Sequence, residues 1–234
     1  MDLKTKIGWL TLFSIAMGYL ESAVVIYLRE IYYPSGFAFP INPLSGNIGL
    51  TEVLRETATV LMLLSVGFLA GNNSRQRFAV FIFCFAVWDI FYYVFLKALV
   101  HWPESFLTWD LLFLIPLAWT GPVIAPLIVS ATMILLACIL LFSGENPRSP
   151  GRRLSRTLIL SGAILVFLSF IWDFSCHMLD QYPLASLFRA ADISMAMQQY
   201  IPVSFNWWLF LAGEAVILAG IYLAYAGSMQ SAQK

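Results

Sequence analysis

The sequence predicts an all-α membrane protein: a polytopic transmembrane helix bundle with six spans, one short re-entrant or interfacial half-helix, and both termini in the cytoplasm. Its residues are 60% hydrophobic and only 11% charged, whereas soluble domains are about 45–50% apolar and about 25% charged. Six apolar runs approach the roughly 20 residues that cross a bilayer. Lysine and arginine are divided unevenly among the connecting segments. We therefore expect residues 1–234 to form a single integral membrane domain.

The six predicted spans are separated by polar or proline-containing segments. We place them approximately at Ile7–Leu28, Glu52–Gly71, Arg77–Val100, Pro122–Phe142, Thr157–Met178 and Trp207–Tyr225. Lys4 and Lys6 before the first run would also suit a signal peptide. However, apolar residues continue well past the small-residue site Ala16-Met17-Gly18, so we predict an uncleaved span.

The stretch PESFLTWDLLFLIP, residues 103–116, is apolar, too short to cross a membrane, and bracketed by prolines. It predicts the half-helix, either re-entrant or in the interface. Pro116, Pro122 and Pro126 interrupt helical hydrogen bonding at membrane depth. Because freed carbonyls are tolerated there only against protein or water, this favours a cavity near the start of the fourth span. The alternative is an ordinary loop followed by a kinked helix.

The orientation follows from the positive-inside rule. With the N-terminus inside, nine of the thirteen lysines and arginines fall on the cytoplasmic side. These are Lys4, Lys6, Arg75, Arg77, Arg148, Arg152, Arg153, Arg156 and Lys234, while Arg29, Arg55, Lys97 and Arg189 lie towards the outside. The sequence therefore predicts an integral protein of a plasma membrane or bacterial inner membrane with both chain ends in the cytoplasm.

Two predicted outer segments are long. Residues 29–50 are rich in proline and aromatic residues, and residues 180–206 contain a predicted short helix over Leu184–Gln198. These segments either pack over the spans as a lid or simply join helices at the headgroup level.

Six carboxylates from six different segments have overlapping predicted depths near the outer half of the membrane. They are Glu21, Glu56, Asp89, Asp110, Asp173 and Glu214. An ionised Asp at the centre of a span costs roughly 2.5–3.5 kcal/mol. Such groups must therefore converge, pair or hold protons. Convergence in a chamber open to the outer face is the hypothesis that we favour, and the nearly charge-free inner half argues against a through-channel.

Helical spacing adds neighbours to these acids. Asp89, Tyr93, Lys97 and His101 form one stripe with a spacing of four residues. Glu52, Arg55 and Glu56 share one face of the second span, and Arg55 is expected to pair with Glu56 or with Glu21 on a neighbouring helix. The predicted ligand-binding residues are Glu21, Arg55, Glu56, Asp89, Tyr93, Lys97, Asp110 and Glu214. Asp173 and His177, also four apart, are the candidate catalytic pair. The alternatives are structural ion pairs and, for Lys97, an interfacial anchor.

The sequence contains no familiar catalytic motif and no basic run that would indicate nucleic acid. Three functions remain open. The first is binding or transport of a small cation, a proton or a polar headgroup. The second is a membrane hydrolase or transferase acting on a lipid-like substrate. The third is an accessory subunit with a membrane-protein partner. Membrane lipid is the expected surrounding in each case.

Metal and cofactor assignments are less specific. Oxygen ligands suit a hard cation such as Mg²⁺, and Glu21, Glu56, Asp173 and His177 form a conceivable metal set. Spacing does not identify the metal. A haem held by His101 and His177 is a further alternative, because both are predicted near the outer end, and the cofactor stays unassigned. Cys84, Cys138 and Cys176 lie in apolar stretches and are interpreted as packing residues.

Overall fold

The computed structural model describes residues 2–42, 46–142 and 151–232. Within these ranges six helices are long and apolar enough to cross a membrane, which confirms the predicted all-α bundle. In chain order the elements are α1 (Leu3–Tyr32), α2 (Gly46–Ala70), α3 (Ser74–Val100), β1 (Trp109–Phe113), β2 (Trp119–Pro122), α4 (Ile124–Phe142), α5 (Arg152–Gln181), a 3-10 helix (Leu184–Phe188), α6 (Ala190–Met197) and α7 (Trp207–Ala232). Arg148 and Lys234, which support the predicted orientation, lie outside the described residues.

The most enclosed span is α3. Of the residues in its most apolar window 56% are buried, against 22–33% in the other five spans. It packs along α1, α2 and α4. Gly18 of α1 permits a close approach, since a Cβ there would lie 2.9 Å from the carbonyl oxygen of Trp88. Asp89 therefore lies in the middle of the most enclosed helix, and it also lines the cavity described below.

The pair α5 and α7 packs closely through small residues. A Cβ added at Gly162 would lie 2.6 Å from the carbonyl oxygen of Gly213, and the hydroxyl of Ser155 donates a hydrogen bond of 2.7 Å to the carbonyl of Gly220. Membrane helices use small residues in this way because dispersion contacts and hydrogen bonds, not hydrophobic burial, hold them together. Since α4 packs on both α3 and α7, it joins the two groups of helices.

Residues 103–116 do not form the predicted half-helix. Trp109–Phe113 and Trp119–Pro122 are instead the two antiparallel strands of a β-hairpin, with Asp110 opposite Gly121 and an irregular register after Leu111. The prediction was wrong because a short apolar stretch of aromatic and branched residues fits a strand as well as a helix. The strand is distinguished from the helix only by its pairing with residues 119–122, which follow Pro116. Strand pairing satisfies the backbone groups that face the partner strand, and Glu56 of α2 accepts the N–H of Leu114 just after β1, so the hairpin packs against the spans.

The predicted helix over Leu184–Gln198 is also divided. A 3-10 helix ends at Phe188 and α6 begins at Ala190, because Arg189 between them has an extended backbone.

The spans alternate in direction. The ammonium of Lys6 donates a hydrogen bond of 2.8 Å to the carbonyl of Ala70, so the start of α1 lies beside the end of α2. The contact between Ser155 and Gly220 places the start of α5 beside the end of α7 in the same way. The hairpin and α6 therefore lie at the opposite end of the bundle, where α1, α3 and α5 end and α2, α4 and α7 begin.

Candidate functional site

A cavity of about 780 Å³ lies at the hairpin end of the bundle. Its walls come from the second half of α1, the first half of α2, the middle of α3, the hairpin, the start of α4 and α6, with Phe170 of α5. Both long segments predicted to face the outside contribute to it, the first through Phe37 and Ile41 and the second through α6. In the described part of the chain, no lining residue comes from α7 or from the half of the bundle that holds the start of α1. The cavity is therefore confined to one end.

The structure brings six of the eight predicted ligand-binding residues to this cavity. The six are Glu21, Arg55, Glu56, Asp89, Tyr93 and Asp110. They come from α1, α2, α3 and the hairpin, so residues distant in the sequence do meet in one chamber.

The first polar wall is built where α2 faces α1. The guanidinium of Arg55 forms ion pairs with Glu21 of α1 and with Glu52, one turn earlier on α2. Glu56 is 7% exposed, and both its oxygens accept the backbone N–H of Leu114, at 3.0 and 3.2 Å. Within the described ranges Glu56 has no ion pair with Lys or Arg. This wall therefore holds three carboxylates and one guanidinium.

The second polar wall joins the end of α1 to the hairpin and α3. Asp110 is 2% exposed and accepts a hydrogen bond of 3.1 Å from the hydroxyl of Tyr93. Its second partner is the guanidinium of Arg29, at 3.5 Å. Burial raises the pKa of Asp110 to about 6, although Arg29 and the Tyr93 hydroxyl act in the opposite direction. The carboxylate is therefore ionised, and paired with Arg29, at neutral pH.

Arg29 is itself held between aromatic rings. Its guanidinium carbon lies 3.8 Å from the ring centroid of Trp102 and 4.6 Å from that of Phe37, which is within the range of a cation–π interaction. Arg29 thus connects α1, the loop after it and the segment after α3.

Asp89 stands between the walls, and its hydrogen-bond partner among the described residues is neutral. The hydroxyl of Ser130 on α4 donates a hydrogen bond of 2.8 Å to Oδ2 of Asp89, and the charge of Asp110 is close enough to influence it. Oδ1 has no protein donor among the described residues. Trp88, the preceding residue, is 4% exposed and packs edge-on against Phe85 and Phe113. Its indole nitrogen is buried and has no hydrogen-bond partner in the described parts of the chain.

Most of the remaining lining is apolar, and much of it is aromatic. The rings are those of Tyr32, Tyr33, Phe37, Phe85, Trp88, Tyr92, Tyr93, Phe113, Trp119 and Phe170. A chamber of this size, with apolar walls and a few polar groups, is typical of sites for organic molecules.

Lys97 and Glu214 do not reach the cavity. The ammonium of Lys97 donates to the carbonyls of His101 and Pro103, at 3.3 and 2.8 Å, and so caps the end of α3. Glu214 is 5% exposed and accepts a hydrogen bond of 2.7 Å from Thr132. Since Thr132 lies two residues after Ser130, Glu214 is at the depth of Asp89 but on another side of α4.

The Asp173–His177 pair also lies outside the cavity. The carboxylate of Asp173 accepts the hydroxyl of Tyr200 at 2.7 Å and the backbone N–H groups of Val203 and Ser204 at 3.1 and 3.3 Å. Within the described ranges it forms no hydrogen bond with His177, whose ring lies edge-on to Tyr200. Asp173 thus ties the segment after α6 to α5. The catalytic role and the four-residue metal set stay predictions that this geometry does not favour.

Three residues that bond to the predicted carboxylates and to Arg55 were absent from the predicted ligand-binding set. Arg29 and Glu52 lie at helix ends, where charged residues are expected for solvation alone. Ser130 is one of several serines in apolar spans and has no signal in the sequence. Only the requirement that Asp89 and Asp110 find partners points to such residues.

Comparisons with protein-family models, curated proteins and solved structures gave no match. The function is therefore argued from the geometry of the cavity.

Proposed function

We propose that this membrane protein binds a small amphipathic molecule in the cavity at the hairpin end, with the polar group of that molecule against the carboxylates and its apolar body against the rings. In the predicted orientation the cavity faces the extracytoplasmic side, so the molecule enters from there or from the outer leaflet.

The observation that carries this proposal is the imbalance of partners in the chamber. Five carboxylates line it, Glu21, Glu52, Glu56, Asp89 and Asp110, with two guanidiniums, Arg29 and Arg55. The arginines pair with Glu21, Glu52 and Asp110. Glu56 and Asp89 are left with a backbone amide and a hydroxyl. In a low-dielectric interior, such groups hold a proton or lie against a positive charge, and no ion pair among the described residues supplies that charge.

A purely structural role would leave the carboxylates saturated and the space between them filled. The ion pairs of Arg55 and Arg29 do stabilise helix contacts, but a chamber of about 780 Å³ remains. A through-channel would need polar lining in the other half of the bundle. The one-ended cavity with two incompletely partnered carboxylates supports a binding site better than either alternative.

The test uses the full chain in lipid nanodiscs and a neutral amphipathic probe, naphthylethanol, with binding followed by native mass spectrometry. Val129 lines the cavity on α4, so Val129→Trp should fill it and abolish binding. Leu135→Trp, at an exposed position on the same helix, is the matched control and should bind as the wild type does. Equal binding by both variants would reject the proposed cavity, as would a wild-type protein that binds neither this alcohol nor the amine with the same ring system.

A further inference from the structure

We infer that the natural ligand of this cavity is a lipophilic amine, an organic cation with a ring-containing body. This inference rests on the proposed function and names the chemical class of its ligand.

The positive charge follows from the two lining carboxylates, Glu56 and Asp89, that form no ion pair with a lysine or arginine among the described residues. Both oxygens of Glu56 accept the single backbone N–H of Leu114. Oδ2 of Asp89 accepts one hydrogen bond, from the hydroxyl of Ser130. A carboxylate has about four lone-pair positions, so each retains acceptor capacity. Glu56 belongs to the wall with Arg55, whereas Asp89 stands between the walls and is near Asp110. The chamber thus offers an ammonium group two carboxylate acceptors.

The organic nature of the cation follows from the rest of the lining. An inorganic ion such as Mg²⁺ or Ca²⁺ needs about six or more oxygen ligands. In the described chain, no three His, Cys, Asp or Glu side chains come together in a way that could hold a metal. Ring faces and aliphatic side chains occupy most of the wall instead. Aromatic faces attract organic ammonium groups and also accommodate their apolar carbon atoms.

The test compares three probes with one ring system and different charge: naphthylethylamine, naphthylethanol and naphthylacetate. Dissociation constants are measured for the full chain in nanodiscs, with empty nanodiscs as the reference for partition into lipid. We expect naphthylethylamine to bind about ten-fold more tightly than naphthylethanol, because hydrogen bonds to charged groups are the stronger ones. We expect naphthylacetate to bind most weakly.

The variants Asp89→Asn and Glu56→Gln keep the shape of the side chain and remove its charge. Each should bring the affinity of naphthylethylamine towards that of naphthylethanol. Glu214→Gln is the matched control, a buried carboxylate bonded to a hydroxyl at the same depth but outside the cavity, and should keep the wild-type preference. If Asp89→Asn fails to fold, Glu56→Gln tests the inference alone.

The outcomes separate the two proposals. Equal affinity of wild-type protein for the amine and the alcohol would mean that Glu56 and Asp89 hold protons, which overturns the amine inference and leaves the binding function intact. Loss of preference in Glu214→Gln to the same extent as in Asp89→Asn would also overturn it. If neither the amine nor the alcohol binds, the proposed function fails as well.

Discussion

Ser130 on α4 donates its hydroxyl to the carboxylate of Asp89 on α3, at 2.8 Å, in the centre of the bundle. Two residues later on α4, Thr132 makes the equivalent bond to Glu214 of α7, at 2.7 Å. One helix therefore supplies hydroxyl donors to two buried carboxylates on different sides. Only the Asp89 side opens into the cavity.

This arrangement gives the first prediction. Ser130→Ala and Thr132→Ala each remove one hydrogen bond, so each should destabilise the protein by about 1–3 kcal/mol. Only Ser130→Ala should change the affinity for naphthylethylamine, because only Asp89 faces the chamber. Unfolding in mixed micelles and binding in nanodiscs measure the two effects. An equal effect of both substitutions on binding would contradict the assignment.

A second prediction concerns Arg55, which pairs with Glu21 and Glu52. Arg55→Gln leaves two carboxylates without a positive partner, and breaking a buried pair costs about 3–5 kcal/mol. These groups are partly exposed to the cavity, so we expect about 2 kcal/mol. The exposed Arg189→Gln should change stability by less than about 0.5 kcal/mol. Arg55→Gln/Glu21→Gln removes one of the two unpaired charges, so it should regain part of the lost stability, and no regain would show that the loss does not come from unpaired charge.

A third prediction is a pH dependence that originates at Asp110. Burial raises the pKa of Asp110 from 3.8 to about 6, so between pH 4 and pH 6 the folded chain holds a proton that the unfolded chain has released. The contribution of this proton to stability is complete below pH 4 and is lost as the pH rises through 6. One pKa unit corresponds to about 1.4 kcal/mol, which sets an upper limit of about 3 kcal/mol.

Asp110→Asn isolates this contribution, because every other titrating group is retained. As the pH rises from 4 to 7, the melting temperature of the wild type should fall relative to that of Asp110→Asn. A constant difference across this range would show that Asp110 titrates in the same way in the folded and unfolded chains.

A fourth prediction tests the packing of α5 on α7. A Cβ at Gly162 would lie 2.6 Å from the carbonyl oxygen of Gly213, whereas a Cβ at Gly8 in α1 would meet nothing within 4 Å. Gly162→Ala should therefore separate the helices and destabilise the protein by about 1–3 kcal/mol. Gly8→Ala should be neutral or stabilising by up to about 1 kcal/mol, since Ala has the higher helix propensity. Denaturation in mixed micelles compares the two directly, and a tolerated Gly162→Ala would refute the close approach.

A fifth prediction concerns orientation. A reporter protein that is active only in the cytoplasm should be active when it is fused to either end of the chain, because the basic residues favour the cytoplasmic side. Inactivity of either fusion would place the cavity on the cytoplasmic face and reverse the proposed route of the ligand.

The number of spans and the meeting of Glu21, Glu56, Asp89 and Asp110 could be predicted because both depend on distance along the membrane normal. A helix rises 1.5 Å per residue, so counting residues gives the depth of each side chain. Depth gives no information on direction around the helix axis. Glu214 and Asp173 have suitable depths, yet Glu214 lies against Thr132 and Asp173 against Tyr200.

The hairpin and the partners of Asp89 could not be predicted for a different reason. Strand pairing between residues 109–113 and 119–122 is an interaction across a proline-containing turn, which local periodicity does not encode. Ser130 becomes significant only when α4 is placed beside α3. The mutual position of neighbouring helices depends on side-chain packing along their whole length.

The most direct test of the binding site is anomalous diffraction from crystals of the full chain grown with bromonaphthylethylamine. The bromine signal locates the probe without reference to its affinity. We predict one peak among the rings of the cavity, with the amine density within hydrogen-bond distance of Asp89 or Glu56. Bromine peaks only on the lipid-facing surface, with no density between α1, α3 and the hairpin, would contradict the account.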